Sequence, residues 1–188
     1  ITRRWIVSLF KRFILMRVIN IGAHTVQKYH NPMCACIGYF DGMHLGHQAL
    51  VKATVALAEK HNCESALITF EPDPWVTIKG LKDVKHITTM RQRINRAVEL
   101  GIQNIIILDF DKEMSELSPA DFIHKTLAKL NLKGIVCGFD FHYGLHGAGD
   151  CNTLKSETDY DVVVVDAVED EVGKISSTRI CDAIVQGD

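Results

Sequence analysis

Between two longer apolar stretches the chain reads Gly38-Tyr39-Phe40-Asp41-Gly42-Met43-His44-Leu45-Gly46-His47. Histidines three residues apart at the start of a helix turn both imidazoles to one side of its first turn. Gly46 between them leaves the backbone open to an anion, and the N–H groups of a helix start already favour phosphate. Two imidazoles at that place can donate to a triphosphate and take up charge as pyrophosphate leaves. Asp41, one turn earlier, is placed to orient the loop or a phosphate-bound metal. A solvated loop with two incidental histidines is the competing reading, and a zinc pair is another. The glutamate of a zincin helix is missing, however, and no third ligand is evident.

Such a segment has to be delivered by a strand and continued by a helix, and its neighbours fit. Ala35 to Phe40 is an apolar run ending in glycine and aspartate. Gln48 to Lys60 has helical spacing through Leu50, Val51, Val55, Leu57 and Ala58. Ser65 to Phe70 is a second strand, stopped by Pro72 and Pro74. Met90 to Leu100 reads as a helix closed by Gly101, and Ile105 to Leu108 as a buried strand. Ser118-Pro119 opens a helix to about Leu130. Gly134 to Gly138 and Val162 to Val165 are two more apolar strands, and Ser176 or Ser177 caps a last helix to about Val185. Strands apolar on both faces, alternating with helices, predict one doubly wound, open parallel sheet in a three-layer α/β/α domain. Ligands of such folds sit beyond the strand ends at the topological switch point.

The totals narrow the partners. With 188 residues, 47% hydrophobic and 23% charged, the chain can bury a core without disulfides. A formal charge of -2 and no long basic run exclude nucleic acid as main partner. Six cysteines (34, 36, 63, 137, 151, 181) show neither CxxC spacing nor a secreted framework. Apolar settings such as that of Cys137 suggest reduced, buried thiols in a cytoplasmic protein. Residues 1–15 mix apolar side chains with Arg3, Arg4, Lys11 and Arg12 and are too short and interrupted to span a bilayer. A basic amphipathic surface helix and a poor signal sequence are two readings of them. The expectation favoured here is an extension outside the fold, with the domain running from Met16 to Asp188.

The segment from Gly38 to His47 resembles the HxGH signature of the nucleotidyltransferase superfamily. More closely, it is similar to the FMN adenylyltransferase module of bacterial bifunctional FAD synthetase/riboflavin kinases, whose pattern approaches GxFDGxHxGH. Three further segments match that family in order. Thr69-Phe70-Glu71-Pro72-Asp73-Pro74 resembles TFxPHP, Gly138-Phe139-Asp140-Phe141-His142-Tyr143-Gly144 resembles GxDFxFG, and Ile175-Ser176-Ser177-Thr178-Arg179-Ile180 resembles ISSTxIR.

The resemblance implies transfer of AMP from ATP to FMN, giving FAD and pyrophosphate. It makes His44, His47 and Asp41 the catalytic residues. ATP falls to Gly38, Phe40, His44, Gly46 and His47 together with Ser176, Ser177, Thr178 and Arg179, the last as counter-charge to the β- and γ-phosphates. Flavin falls to Phe70, Pro72, Asp73 and Pro74, with Trp75 completing a stiff apolar wall for the isoalloxazine ring. Asp140 is an acceptor for flavin or ribityl groups if its strand lies beside the first one, and Phe141 reads also as core. Mg²⁺ comes on the ATP phosphates, with no metal ligand assigned to the protein. A riboflavin kinase module or partner would supply FMN. Asp73 stands where the family usually has histidine, Tyr39 where asparagine or valine is common, and Cys181 where an arginine commonly follows. The chain stops at Gly187-Asp188, about where the linker to the kinase module would begin, so it is expected to leave riboflavin unphosphorylated. Another HxGH enzyme, a cytidylyltransferase or a pantetheine-phosphate adenylyltransferase, is disfavoured by the TFEPDP and GFDFHYG segments. Asp73 and Cys181 would suit a non-catalytic flavin- or nucleotide-binding paralogue.

Overall fold

The computed structural model describes residues 16–22, 24–82 and 84–187; the stretch 1–15, read above as an extension, lies outside them. Along the chain run β1 (Arg17–Ile21), β2 (Met33–Ile37), α1 (Leu45–Lys60), β3 (Glu64–Glu71), α2 (Pro74–Lys79) and α3 (Met90–Glu99). They are followed by β4 (Asn104–Asp109), α4 (Lys112–Ser115), a composite helix α5 over residues 119–129, and β5 (Leu132–Gly138). The remainder comprises β6 (His142–Tyr143), β7 (Gly149–Asp150), α6 (Cys151–Glu157), β8 (Asp161–Val165), β9 (Glu169–Asp170), β10 (Gly173–Lys174) and α7 (Ser177–Gln186).

Among the described residues six strands form one sheet in the order β1-β4-β3-β2-β5-β8, and every pairing in it is parallel. The chain steps from β2 through β3 to β4 in one direction, then returns to lay β5 on the other side of β2. The switch point therefore lies between β2 and β5, the two strands that release the Gly38 and Gly138 loops. The condition set on Asp140, that its strand neighbour the first predicted one, is met.

All five residues of β2 are buried, because helices cover both faces of the sheet. Alternation sorts them: Cys34 and Cys36 pack with Leu50, Val51 and Leu57 of α1 and Ala97 of α3. Met33, Ala35 and Ile37 join the opposite layer, with Phe122 and Leu127 of α5 and Leu154 of α6. α1 lies so close to the sheet that a Cβ on Gly134 would stand 2.7 Å from Leu57 Cδ2, and the Asp161 carbonyl oxygen of the neighbouring β8 would be 2.9 Å from the same Cβ. All six cysteines are free, and burial pushes the Cys36 thiol up to about 12, as fits an apolar filler rather than a nucleophile.

The sequence reading found the five inner and far strands but not β1, an edge strand whose residues alternate between exposed and buried. It also passed over α2, α4 and α6. The helix expected from Pro119 to Leu130 is helical throughout 119–129 but divided: α over Pro119–Asp121, π over Phe122–Thr126 and 3-10 over Leu127–Lys129.

Candidate active site

β2 ends in a tight, left-handed passage before α1. Phe40 has φ 61° and Met43 φ 42°, with Gly42 at φ 77° between them. Positive φ is costly for residues with a Cβ and persists where the surroundings impose it. Here they do: Phe40 is fully buried and its ring meets that of His47 edge-on at 5.2 Å. His44 is the N-cap of α1, accepting at Nδ1 from the His47 N–H at 3.4 Å. The two imidazoles stack with centroids 3.7 Å apart and planes 22° from parallel. Gly46 serves this stack, since a Cβ there would lie 3.1 Å from His44 Cε1. The space expected to admit an anion is thus taken by the His44 ring.

The histidine pair expected to take up charge is neutral as folded. Burial, then the neighbouring His44 and Arg93 charges, push His47 down to about 3, with Asp41 and Asp140 opposing. Its Nδ1 is buried and has no hydrogen-bond partner among the described residues. His44 is also lowered, first by burial and then by the charge of Lys174. The site as folded holds two neutral imidazoles.

Asp41 has both carboxylate oxygens bound to the segment before α3. Its Oδ2 accepts from the Ile87 N–H at 2.9 Å, and its Oδ1 from both the N–H and the hydroxyl of Thr88, each at 2.9 Å. Burial raises its pKa, but these bonds and Arg93 outweigh it, and the net shift is downward. Of the two roles expected for Asp41, the geometry provides for orienting the loop. Arg93, only 4% exposed, donates to the Tyr39 and Thr88 carbonyls and to the Tyr39 hydroxyl. Its guanidinium lies over the Tyr39 ring at 4.2 Å. No local pattern marks Arg93, His86 or Thr88 as site residues, because they reach Asp41 and Tyr39 from a helix start more than forty positions away.

Beside the Asp41 anchor opens a cleft of about 410 Å³, lined among others by Tyr39, Phe70, Pro72, Asp73, His86 and Arg93. Phe70, Pro72 and Asp73 of the predicted flavin set are brought together here. Asp73 is also the N-cap of α2, accepting from the Trp75 N–H at 2.8 Å, and Pro74 is the first helical residue, where its lost N–H costs nothing. Trp75, expected in the wall, is 53% exposed and lies under Lys79 instead; Tyr39 takes its place. Asp140 and Phe141 do not line this cleft. Asp140 pairs with Lys174, and Phe141 stacks on Tyr143 with centroids 5.7 Å apart.

The C-terminal segment closes the other side. Ser176 caps α7 by accepting from the Arg179 N–H, and the Ser177 hydroxyl donates to the Asp41 carbonyl at 2.8 Å. The Thr178 side chain is exposed. Arg179 is not the free counter-charge expected: its guanidinium donates to both oxygens of Asp170, at 2.9 and 2.6 Å, and to the Gly173 and Lys174 carbonyls. It is consumed in tying α7 to the β9–β10 hairpin. Lys174, over the Phe139 ring at 4.7 Å, is the cation whose charge acts on His44. Among the described residues no three His, Cys, Asp or Glu side chains gather as a cation site.

The sheet order, the switch-point loops and the histidine pair at a helix start define a three-layer α/β fold of the nucleotidyltransferase type. A family model for FAD synthetase matches residues 26–179, and the chain belongs to that family. It is 36% identical over 155 residues to a bifunctional riboflavin kinase/FMN adenylyltransferase of Listeria monocytogenes, covering 81% of this chain and 49% of that one. With the corresponding Bacillus subtilis protein it shares 32% identity over 168 residues, 88% of this chain and 53% of the other. An FAD synthetase of Listeria monocytogenes is 30% identical over 155 residues, 80% of this chain and 63% of its own length. The chain thus spans about half the length of the bifunctional relatives. A solved structure described as a macrolide-efflux protein from Streptococcus pneumoniae superposes with a TM-score of 0.83 at 31% identity, over 92% of this chain and 66% of that one. Among the described residues no helix is long and apolar enough to cross a membrane.

Proposed function

We propose that this chain transfers the AMP moiety of ATP to FMN, forming FAD and releasing pyrophosphate. The observation that carries the reading is the placement of the stacked His44/His47 pair at the β2/β5 switch point, one anchor residue, Asp41, away from a cleft walled by Tyr39 and Phe70. The start of α1 and the pair would receive the triphosphate. The cleft would receive the flavin, with its phosphate directed toward the pair.

An FMN phosphate oxygen attacks the α-phosphorus in line. The new P–O bond forms as the bond to the β-phosphate bridging oxygen breaks, and that electron pair leaves with pyrophosphate. A phosphomonoester is largely dianionic at neutral pH, its second pKa being about 6, so no general base is required. Positioning and electrostatics supply the catalysis. His44 and His47, neutral in the empty site, gain protons or donate N–H bonds as the anionic triphosphate enters, because a nearby negative charge favours the imidazolium. Lys174 and the hydroxyls of Ser176 and Thr178 would hold the departing phosphates, while Ser177 fixes the junction through the Asp41 carbonyl. Mg²⁺ on the phosphates would neutralise their charge. Asp41 has both oxygens engaged and Asp140 is paired with Lys174, which fits a cation brought by the nucleotide rather than caged by protein. The FAD synthetase relatives support the same assignment.

Incubation with ATP, Mg²⁺ and FMN, followed by chromatographic separation of FMN from FAD, tests it. FAD and pyrophosphate should appear in equal amounts. Faster pyrophosphate release from CTP with a phospho-alcohol than from ATP with FMN would make the assignment wrong.

A further inference from the structure

The two residues of the cleft that depart from the family pattern, Tyr39 and Asp73, come from different strand ends, and His86 stands between them. His86 Nε2 lies 3.3 Å from the Tyr39 hydroxyl, and the two rings are 5.5 Å apart. The other ring nitrogen, Nδ1, faces Asp73 Oδ2 at 3.7 Å and Asp41 Oδ2 at 3.8 Å. Arg93 donates to the Tyr39 oxygen at 3.3 Å. Arg93 donates to the Tyr39 oxygen, which leaves the Tyr39 O–H for Nε2 in the tautomer that carries its proton on Nδ1, facing the two carboxylates at ion-pair rather than hydrogen-bond distance. This tautomer puts a donor rather than a lone pair toward two acids.

Asp41 Oδ2 already accepts from Ile87, whereas Asp73 has one oxygen on the Trp75 cap and the other with His86 alone among the described residues. A carboxylate oxygen keeps a lone pair beyond one such contact. In a cleft where Phe70, Pro72, Val76 and Met90 supply apolar wall and Glu71, Thr88, Thr89, Gln92 and Arg93 supply polar wall, that lone pair suits a flat ring carrying an N–H on its edge. The isoalloxazine of FMN has one such group, the imide N3–H between two carbonyls.

We propose that His86 is a positioning residue for flavin recognition, orienting the Asp73 carboxylate to accept the imide N–H of the isoalloxazine ring. The inference rests on the FMN adenylyltransferase reading and adds to it the group by which this chain distinguishes its flavin. Asp73 would touch the ring, and His86 acts through it.

The test compares FMN with 3-methyl-FMN, in which the imide proton is replaced, on wild-type protein and on His86→Ala and His86→Gln. Losing one hydrogen bond, and leaving its acceptor unpaired, should weaken the methylated flavin about tenfold or more on wild type, read as KM. In His86→Ala the KM for FMN should rise about tenfold, the discrimination should shrink toward one, and the KM for ATP should stay within about twofold. His86→Gln, whose amide can still meet both neighbours, should recover part of the discrimination. Asp73→Asn keeps an oxygen for the Trp75 cap and should abolish the discrimination even if His86→Ala fails to fold. Full discrimination persisting in His86→Ala or in Asp73→Asn overturns the proposal. So does a wild-type protein that makes FAD but treats both flavins alike, an outcome that leaves the adenylyltransferase reading standing. A wild-type protein that makes no FAD overturns that reading and this inference with it.

Discussion

An imidazole packed on a second imidazole and wedged against a phenylalanine holds a proton poorly, and His47 is such a group. Its ordinary pKa of 6.5 falls to about 3 in the folded chain, so between those values the unfolded chain binds a proton that the folded one does not. Stability rises with pH wherever the unfolded state binds more protons. This contribution is therefore complete above pH 6.5 and is lost as pH falls toward 3, a window that begins well above carboxylate titration. Thermal unfolding followed from pH 7 to 4 should show a declining Tm in the wild type and a shallower decline in His47→Asn. Equal slopes would mean that His47 is not buried neutral. In the proposed reaction the same residues would act when the triphosphate arrives. Replacing either His44 or His47 by Ala should lower kcat roughly ten- to a thousandfold, the scale of one electrostatic donor. Circular dichroism should stay unchanged; loss of fold without a separable catalytic defect would make the pair structural. Residue type and spacing made this pair legible in the sequence. The burial that keeps it neutral was not, because it depends on the left-handed turn at Phe40.

At the scale of elements, α7 is attached rather than embedded. It has no buried residue, and it is held by Ser177 on the Asp41 carbonyl and by Arg179 on the β9–β10 hairpin. Arg179→Ala and Asp170→Ala should therefore raise the KM for ATP to a similar, modest extent, since either releases the same junction. A much larger defect in Arg179→Ala would place the guanidinium on the phosphates after all. Within the sheet, Gly134 is dictated by the approach of α1. Gly134→Ala would push a methyl against the Asp161 carbonyl, which cannot move aside as a side-chain tip can. Overpacking of this kind costs about 1–3 kcal/mol, and denaturant titration should find that loss; an unchanged midpoint would show that the layers can separate freely. The inner strands were legible because burial on both faces leaves unbroken apolar runs. β1 was not, since Arg17 and Asn20 break its run at the sheet edge. α2 was hidden by the two prolines that read as a strand exit, although Asp73-Pro74 is a good helix start. Lys174 lies in a two-residue hairpin strand with no pattern of its own, so the cation whose charge acts on His44 emerged only from the folded chain.

The whole molecule brings four distant segments to one edge of one sheet: the turns after β2 and β3, the loop after β5, and the junction before α7. Ligands bound there would each stabilise the fold by mass action. Ligand at 100 times its Kd contributes about 2.7 kcal/mol, and each kcal/mol moves Tm by roughly 2–4 °C in a domain of this size. A non-hydrolysable ATP analogue with Mg²⁺ and FMN should therefore each raise Tm by several degrees at saturation. If the triphosphate and flavin occupy the adjoining positions proposed for them, the two shifts should be at least additive when both are present. His47→Ala should reduce the shift caused by the nucleotide and spare that caused by FMN, while Asp73→Asn should do the reverse. Scanning calorimetry on wild type and the two variants, with each ligand alone and with both, reads all of these outcomes. A nucleotide that cancels the FMN shift in the wild type would mean that both ligands occupy one cleft, and the two-site reading of the β2/β5 crevice and the Tyr39–Phe70 cleft would fall.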